Sequence, residues 1–242
     1  MALEESRTEQ VPYEPHIGET RQYWRDIILG VNDGLVSMFL LVVGVVGGGL
    51  ATGQILLTAI AGALAGAISM AAGEYLATKS QDEVLEAELE LERVHLEHHR
   101  EAELEQLGTF FSEMGLDEAD IPTLVAAFDK SDEAMLNAMK SLEFGVVESE
   151  RRSPYRAMAA SGALFLVGSL PSVVPFALVD RPGIGLVWAS AFALSGLFVV
   201  GVIKANVARI NRIRSGLENM VIAGFGGVAA WGIGNAIGTT LL

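Results

Sequence analysis

The sequence has no cysteine among its 242 residues, and it has few basic residues. Without cysteine, disulfide bonds, zinc sites made of thiolates and catalysis by a thiol are excluded. The sequence also lacks a nucleophile elbow, a phosphate-binding loop, an HExxH pair and a dinucleotide fingerprint, which argues against an enzyme. The first 20 residues contain no apolar segment of the kind found in secretory signals, and we expect no such signal there.

Charge is distributed unevenly along the chain. The formal net charge is -14, from 16 Lys and Arg against 30 Asp and Glu. Between residues 80 and 150 there are 20 acidic residues and only 4 basic ones, so this segment carries the excess. Nucleic-acid binding needs clustered basic residues, and we therefore expect no nucleic-acid partner. A dense group of carboxylates instead favours divalent metal ions.

Long apolar runs are abundant, and hydrophobic residues make up 51% of the sequence. A helix needs about 20 apolar residues to cross a hydrocarbon core, and five runs reach or approach this length. We therefore predict an all-α polytopic membrane protein with five transmembrane helices in the lipid bilayer. Pro171 and Pro175 fall in the third run, where they should kink the helix or leave carbonyl groups free. The runs are 34–51, 55–73, 157–179, 184–203 and 220–242.

Basic residues between the runs predict the orientation. Arg21 and Arg25 precede the first run, Lys79 follows the second, and further bases cluster between the fourth and fifth. By the positive-inside rule, the N-terminus and the acidic insert face the cytosol and the C-terminus faces away from it. The predicted organisation is a polar N-terminal tail (1–20), transmembrane helices 1 and 2 (21–79), a cytosolic, acidic, metal-binding insert (80–152) and transmembrane helices 3 to 5 (153–242).

Three helices are predicted within the insert. Residues 81–111 are rich in Glu, Leu and Ala and contain no proline, so they should continue the second membrane helix out of the bilayer. Gly115 marks a break before a short helix over 117–128. A third helix is predicted from Ser131, a suitable N-cap, to near residue 149.

Few ionisable residues occur within the apolar runs or at their edges. Asp33 lies at the start of the first run, and Glu74 ends the second, one turn after Met70. Charges at membrane depth are costly unless they are paired, hydrated or bound to metal, so these carboxylates indicate function. Carboxylates with a thioether suit Fe(II) better than Mg(II) or Ca(II). The alternative is that Asp33 and Glu74 mark the membrane interface and that Met70 only fills space.

A second candidate metal site lies on the predicted insert helix. Its members recur every three or four residues and therefore share one helix face. Carboxylate and imidazole ligands on adjacent turns form metal sites in helical bundles, although a glutamate-rich helix is equally a solvated surface. Met139 and Glu143, four residues apart on the third helix, can face this stripe, or Met139 can belong to the core. The stripe consists of Glu88, Glu92, His95, His99, Glu103 and Gln106.

Two motifs make the sequence similar to a known family. The first span holds Arg25-Asp26, Gly30 and Asn32-Asp33-Gly34-Leu35, and the second ends in Ser69-Met70 and Gly73-Glu74-Tyr75. With two plus three spans around an acidic insert, the chain resembles the vacuolar iron transporter family from residue 21 to its C-terminus. The resemblance implies a homodimer with five spans per subunit and no permanently bound cofactor. It also implies movement of Fe(II), and of Mn(II), out of the cytosol in exchange for protons.

The resemblance further implies ligands at two sites. Asp33 and Met70 match positions along the family's membrane path, to which the argument from membrane depth adds Glu74. The family's other site uses two Glu-x-x-Glu pairs and a Met-Met-x-x-Glu. Gln106 and Lys140 depart from that pattern, a lysine would repel the metal, and Glu88 and His99 are possible substitutes. The matching positions here are Glu92 with His95, Glu103 with Gln106, and Met139-Lys140 with Glu143.

Three functions are consistent with these residues. The first is a transporter that exports Fe(II) or Mn(II) from the cytosol by proton exchange, because a carboxylate in lipid accepts either a proton or a metal ion. The second is a membrane protein without transport activity whose acidic domain buffers or senses metal, or docks a partner. The third, a Mg(II) or Ca(II) carrier, predicts that Met70 and His95 are dispensable. A cell membrane and a vacuole-like membrane fit the sequence equally well.

Overall fold

A computed structural model describes residues 21–145 and 152–241 of the chain. In these two ranges all regular secondary structure is helical, as the sequence predicts. The predicted N-terminal tail (1–20) and the predicted end of the third insert helix (146–149) lie outside the described residues. The helices are α1 (Arg21–Gly47), α2 (Thr52–His98), α3 (Arg100–Glu113), α4 (Ile121–Phe128), α5 (Asp132–Leu142), α6 (Pro154–Leu178), α7 (Pro182–Ala208) and α8 (Arg212–Leu241).

Five of these helices, α1, α2, α6, α7 and α8, are long and apolar enough to cross a membrane. This confirms the predicted number of spans. Each helix begins before its apolar run, because a helix satisfies its own backbone groups whether the side chains are apolar or polar. Since α1 begins at Arg21, Asp33 lies near the middle of that helix rather than at its start.

The membrane helices approach one another through small residues. At Gly34 of α1, an added Cβ atom would overlap the backbone of Phe165 and Gly168 in α6. At Gly234 of α8, it would overlap the carbonyl group of Gly44 in α1. Such close backbone contact supplies the packing energy that the hydrophobic effect does not supply in lipid. α1 therefore lies at the centre of the bundle, with an apolar cluster on each side.

The third membrane helix, α6, contains two prolines. It nevertheless runs from Pro154 to Leu178 without interruption. Pro175 and Phe176 are buried, and the Phe176 ring lies against Gly185 of α7. The prolines therefore lie inside a packed helix and do not end it.

The second membrane helix, α2, is the longest element, with 47 residues. At 1.5 Å per residue it is about 70 Å long, more than twice the thickness of a hydrocarbon core. Its second half therefore extends beyond the membrane and begins the insert, as the sequence predicts.

The predicted helix over 81–111 is not continuous, and this part of the prediction is wrong. The chain leaves the helical conformation at His99, with φ -132° and ψ 32°, and α3 begins at Arg100. No glycine or proline stands at this break. The break is instead favoured by packing, because it lets α3 bury Leu107 and Phe111 in the same apolar cluster as Leu96.

α5 begins as predicted, but α4 begins at Ile121 rather than at the predicted residue 117, and residues 118–120 form a turn. Pro122 lies in the first turn of α4, and the Ser131 hydroxyl oxygen accepts a hydrogen bond from the Ala134 amide, 3.2 Å away, to cap α5. α5 ends earlier than predicted, before Gly145, whose φ of 63° is incompatible with a helix. Its buried residues, Met135 and Met139, complete the insert core.

Candidate metal sites

The helix break at His99 brings together residues that a straight helix would hold apart. Eight residues separate His95 from Glu103, which corresponds to about 12 Å along a continuous helix. In the structure, His95 Nδ1 lies 3.2 Å from Glu103 Oε1. The two side chains meet because the chain changes direction at His99, between α2 and α3. The break therefore builds this site.

Glu92, His95 and Glu103 form a three-residue cluster that has metal-binding geometry. Each offers a ligand atom, and these atoms lie within 4.8 Å of one another. Glu92 and Glu103 are each only 4% exposed, and His95 is half-buried. Two carboxylates with an imidazole suit divalent first-row metals such as Fe(II), Mn(II) and Zn(II). We refer to these three residues as the insert triad.

Two oxygen atoms of the insert triad have no hydrogen-bond partner. They are Glu92 Oε1 and Glu103 Oε2, and both are buried. A buried carboxylate oxygen without a partner is strongly destabilising, because it has lost its water and gained nothing in return. A cation held between the two carboxylates would satisfy both atoms. This observation separates the insert triad from a merely acidic surface.

Burial raises the pKa of Glu92 to about 7, and the nearby carboxylates of Glu103 and Glu143 add to this increase. His95 acts in the opposite direction. Near neutral pH, Glu92 therefore exchanges readily between its protonated and ionised forms. A metal ion would bind in place of that proton.

Arg100, the first residue of α3, fixes the break in place. Its guanidinium donates to the Asp129 carboxylate and to the Asp129 carbonyl, each at 2.6 Å. It also donates to the Asp132 carboxylate at 2.6 Å. These contacts fasten the start of α3 to the link between α4 and α5. Arg100 thus supports the insert triad without touching a ligand atom.

The remaining predicted insert residues lie around the insert triad rather than in it. Glu88 and His99 are exposed, and the His99 ring centroid is 6.1 Å from that of His95. Met139 is fully buried in the apolar core, which matches the alternative reading of that residue. Glu143 follows the last residue of α5 and is exposed, but its charge still acts on Glu92. The two departures, Gln106 and Lys140, are half-buried and buried respectively.

The second candidate site is a cavity between α1, α2 and α6. It measures about 400 Å³ and is lined by Asp33 and Met70, with Ser37, Ser69 and Phe165 among its other walls. The structure therefore brings together the carboxylate and the thioether that the sequence singled out. We call this space the membrane cavity.

Asp33 has one described partner in the membrane cavity, the Ser37 hydroxyl, which donates to Oδ1 at 2.9 Å. The rest of its side chain is exposed, although it stands near the middle of a membrane helix. Lipid does not tolerate an unpaired carboxylate at that depth. Asp33 therefore needs a positive partner, or a further protein surface beside it.

Among the described residues, Glu74, unlike Asp33, forms an ion pair with a basic side chain. Arg152, which precedes α6, lies 3.5 Å from its carboxylate and donates a hydrogen bond to Asp26 of α1. Asp26 is 8% exposed and also lies 3.6 Å from Arg25. The site prediction omitted Asp26 and Arg152. Asp26 was visible only as part of a motif, and Arg152 only as a basic residue beside a span.

The model of the VIT family matches residues 24–235 of this chain. The chain belongs to the VIT family. It is 29% identical over 213 residues to vacuolar iron transporter 1 of Tulipa gesneriana, which covers 88% of this chain and 86% of that protein. It is 29% identical over 210 residues to vacuolar iron transporter 1 of Arabidopsis thaliana, covering 86% and 83%. It is 26% identical over 233 residues to the vacuolar iron transporter of Toxoplasma gondii, covering 93% and 77%.

Membership of the VIT family confirms the resemblance drawn from the two membrane motifs. These relatives are named as transporters, which agrees with the expectation that this VIT-family chain is not an enzyme. Its motif residues occupy central positions in the bundle: Gly34 is the contact between α1 and α6, and Asp33 and Met70 line the membrane cavity. The motifs therefore serve both close packing and the polar wall of the cavity.

Proposed function

We propose that this protein exports Fe(II), and also Mn(II), from the cytosol in exchange for protons. The observation that carries the proposal is the membrane cavity, which sets the Asp33 carboxylate and the Met70 thioether on facing helices. A thioether beside a carboxylate favours a first-row metal over Mg(II) or Ca(II). The names of the relatives, vacuolar iron transporters, point to the same cargo.

Proton exchange follows from the position of Asp33. A carboxylate inside the membrane is stabilised by a proton or by a metal ion, and the two compete for the same oxygen atoms. Arrival of metal from one side would release the proton, and arrival of a proton from the other side would release the metal. An acidic compartment opposite the cytosol would thus draw metal out.

Charge supports an orientation with the insert in the cytosol. Arg25 lies in the first turns of α1, Arg152 directly precedes α6, and Lys79 lies on α2 between its apolar run and the insert. The basic link between α7 and α8 lies on the same side, because two spans separate it from Arg152. This is the distribution expected for cytosolic loops. The acidic insert would then gather metal ions at the cytosolic entrance, and the insert triad would hold one of them.

A homodimer would cover the exposed side of Asp33. In one subunit, α2 presents small side chains outward, among them Ala61, Ala65 and Ser69 at helical spacing. Small residues spaced by four allow close contact between membrane helices. A second subunit on this face would close the membrane cavity and remove Asp33 from lipid. We therefore propose a two-fold dimer with α1 and α2 at its interface.

Metal uptake into proteoliposomes tests the transport proposal. Vesicles with an acidic interior should accumulate Fe(II), and vesicles without a proton gradient should accumulate much less. Asp33→Asn should abolish uptake while the protein still folds. Asp180→Asn, a matched change in the exposed link between α6 and α7, should leave uptake intact. Uptake that ignores the proton gradient would rule out exchange.

A second function is favoured by the two orphaned carboxylate oxygens of the insert triad. They build a metal site without any contribution from the membrane helices, as a buffer or sensor of metal would require. On that reading, the purified protein binds Fe(II) through the insert triad but shows no flux in proteoliposomes. Measurement of flux in the preparation used for binding separates the two functions.

A further inference from the structure

Three charged side chains join α1, α2 and the start of α6 on the insert side of the membrane. Arg152 lies between Asp26 and Glu74, and all three are largely buried, with side-chain exposures of 14%, 10% and 19%. Burial of paired charges costs desolvation free energy, so their presence here suggests a functional role. We call these residues the entrance cluster.

The two contacts of Arg152 are not equal. Its guanidinium donates a hydrogen bond to Asp26, whereas Glu74 lies 3.5 Å away in an ion pair. A hydrogen bond to a charged group is stronger than an ion pair at longer range. Glu74 is therefore the partner that Arg152 releases at the lower cost, while Asp26 retains it.

Among the carboxylates outside the membrane cavity, Glu74 is also the one closest to it on α2. It stands one helical turn from Met70, on the same face of α2. A divalent ion moving between the insert and the cavity meets this carboxylate. The ion carries two charges against one on Arg152, so it can displace the guanidinium from Glu74.

We propose that Arg152 is a positioning residue that acts as a tethered cation: Asp26 holds its guanidinium, which also neutralises Glu74 in the absence of metal and is left on Asp26 alone when a divalent ion takes its place at Glu74. This inference rests on the proposed transport function. It gives Asp26 a role as the holding site for the displaced guanidinium. Arg152 then keeps Glu74 neutralised between ions and lowers the apparent affinity of the entrance for metal.

Two variants should shift the KM for metal in opposite directions. Asp26→Asn removes the alternative partner, so Arg152 stays on Glu74, and the KM for Mn(II) should rise about fivefold. The double variant Asp26→Asn with Arg152→Gln frees Glu74 without leaving an unpaired charge beside it, and the KM should fall about fivefold. If the substitutions acted only by disturbing packing, the KM would not rise in one variant and fall in the other.

Proteoliposome uptake of Mn(II) gives KM and maximal rate for each variant. Arg156→Gln removes an exposed base in the first turn of α6 and should leave KM unchanged. If Asp26→Asn fails to fold, Arg152→Lys replaces it. The lysine ammonium is a point charge without the planar fork of a guanidinium, so it holds Glu74 less firmly, and this KM should fall, by less than in the double variant. The inference is overturned if the double variant keeps the wild-type KM, or if its KM rises.

Mn(II) binding to purified protein separates this inference from the proposed function. The measurement uses full-length chains that carry Glu92→Gln and Glu103→Gln, so that the insert triad is silent. Tighter Mn(II) binding on addition of the double entrance variant supports the role of Arg152, even where wild-type protein shows no flux. If the wild-type protein shows flux but Mn(II) binding is unaltered in that variant, the transport proposal is retained and the role of Arg152 as a tethered cation is rejected.

Discussion

The insert triad and the membrane cavity are built in different ways. The insert triad is closed: its two carboxylates are each 4% exposed, and each has a buried oxygen without a hydrogen-bond partner. The membrane cavity is open on one side, and Asp33 has a single described hydrogen bond from Ser37. A closed site of this kind suits retention of an ion, whereas an open one suits passage. Under the proposed function, this difference would give the insert a holding role and the membrane helices a transfer role.

The largest effect is expected from removal of both acidic ligands of the insert triad. Glu92→Gln with Glu103→Gln should weaken metal binding by about 100-fold or more, because only the imidazole remains. Transport at saturating metal should persist, since the membrane cavity is untouched. Isothermal titration and proteoliposome flux measure the two properties. Glu88→Gln with Glu101→Gln, two exposed carboxylates of the same helices, is the control.

Loss of flux at saturating metal in the double triad variant would contradict this division. It would mean that the insert triad is an obligatory step of transport rather than a holding site.

A smaller effect is expected from loss of the thioether in the membrane cavity. Met70→Leu keeps the volume of the side chain and removes the sulfur. We expect uptake of Fe(II) at limiting metal to fall on the order of tenfold, with binding at the insert triad unchanged. Competition with Mg(II) should become stronger in the variant. Equal uptake of Fe(II) by Met70→Leu and wild-type protein would favour a Mg(II) or Ca(II) carrier.

A third prediction concerns Arg100, whose contacts stabilise the helix break at His99. Arg100→Gln removes the contacts with Asp129 and Asp132, so the insert triad should lose its fixed geometry. We expect metal affinity of the insert to fall about fivefold, without a change in transport at saturating metal. Arg93→Gln removes an exposed guanidinium paired with Glu90 on α2 and serves as the control. Equal affinities in both variants would show that apolar packing alone holds the break.

The smallest effect is a dependence of stability on pH. Burial raises the pKa of Glu92 from 4.5 to about 7, so the folded state binds a proton that the unfolded state releases. This stabilisation is present below pH 4.5 and is lost as pH rises through 7. From this residue, metal-free protein should unfold a few degrees lower at pH 8 than at pH 5. Glu92→Gln should reduce that difference, and thermal unfolding without metal measures it.

Local patterns predicted the parts of this fold that depend on neighbouring residues. The five spans follow from apolar runs long enough for lipid, and the start of α5 follows from Ser131, a cap that acts within one turn. Asp33 was selected because charge is rare in such runs, and Met70 because it lies one helical turn before Glu74. Each of these signals is complete within a few residues of the sequence.

Two features depended on distant contacts and were missed. The residues around His99 include no helix breaker, and the helix ends there because Leu96 and Leu107 are buried together. The entrance cluster joins Asp26 to Arg152 across 126 positions of the chain. No local pattern carries either contact. Sequence reasoning therefore selected the three residues of the insert triad but placed them on one face of a single straight helix.

Because α2 is one unbroken helix, it connects the membrane cavity directly to the insert triad. About 33 Å of helix separate Met70 from Glu92, and no glycine or proline interrupts the part from Glu74 to His98. A tilt of about 10° in the membrane half would swing Glu92 sideways by about 6 Å. A tilt of the membrane helices would therefore displace the insert by more than it displaces the membrane cavity.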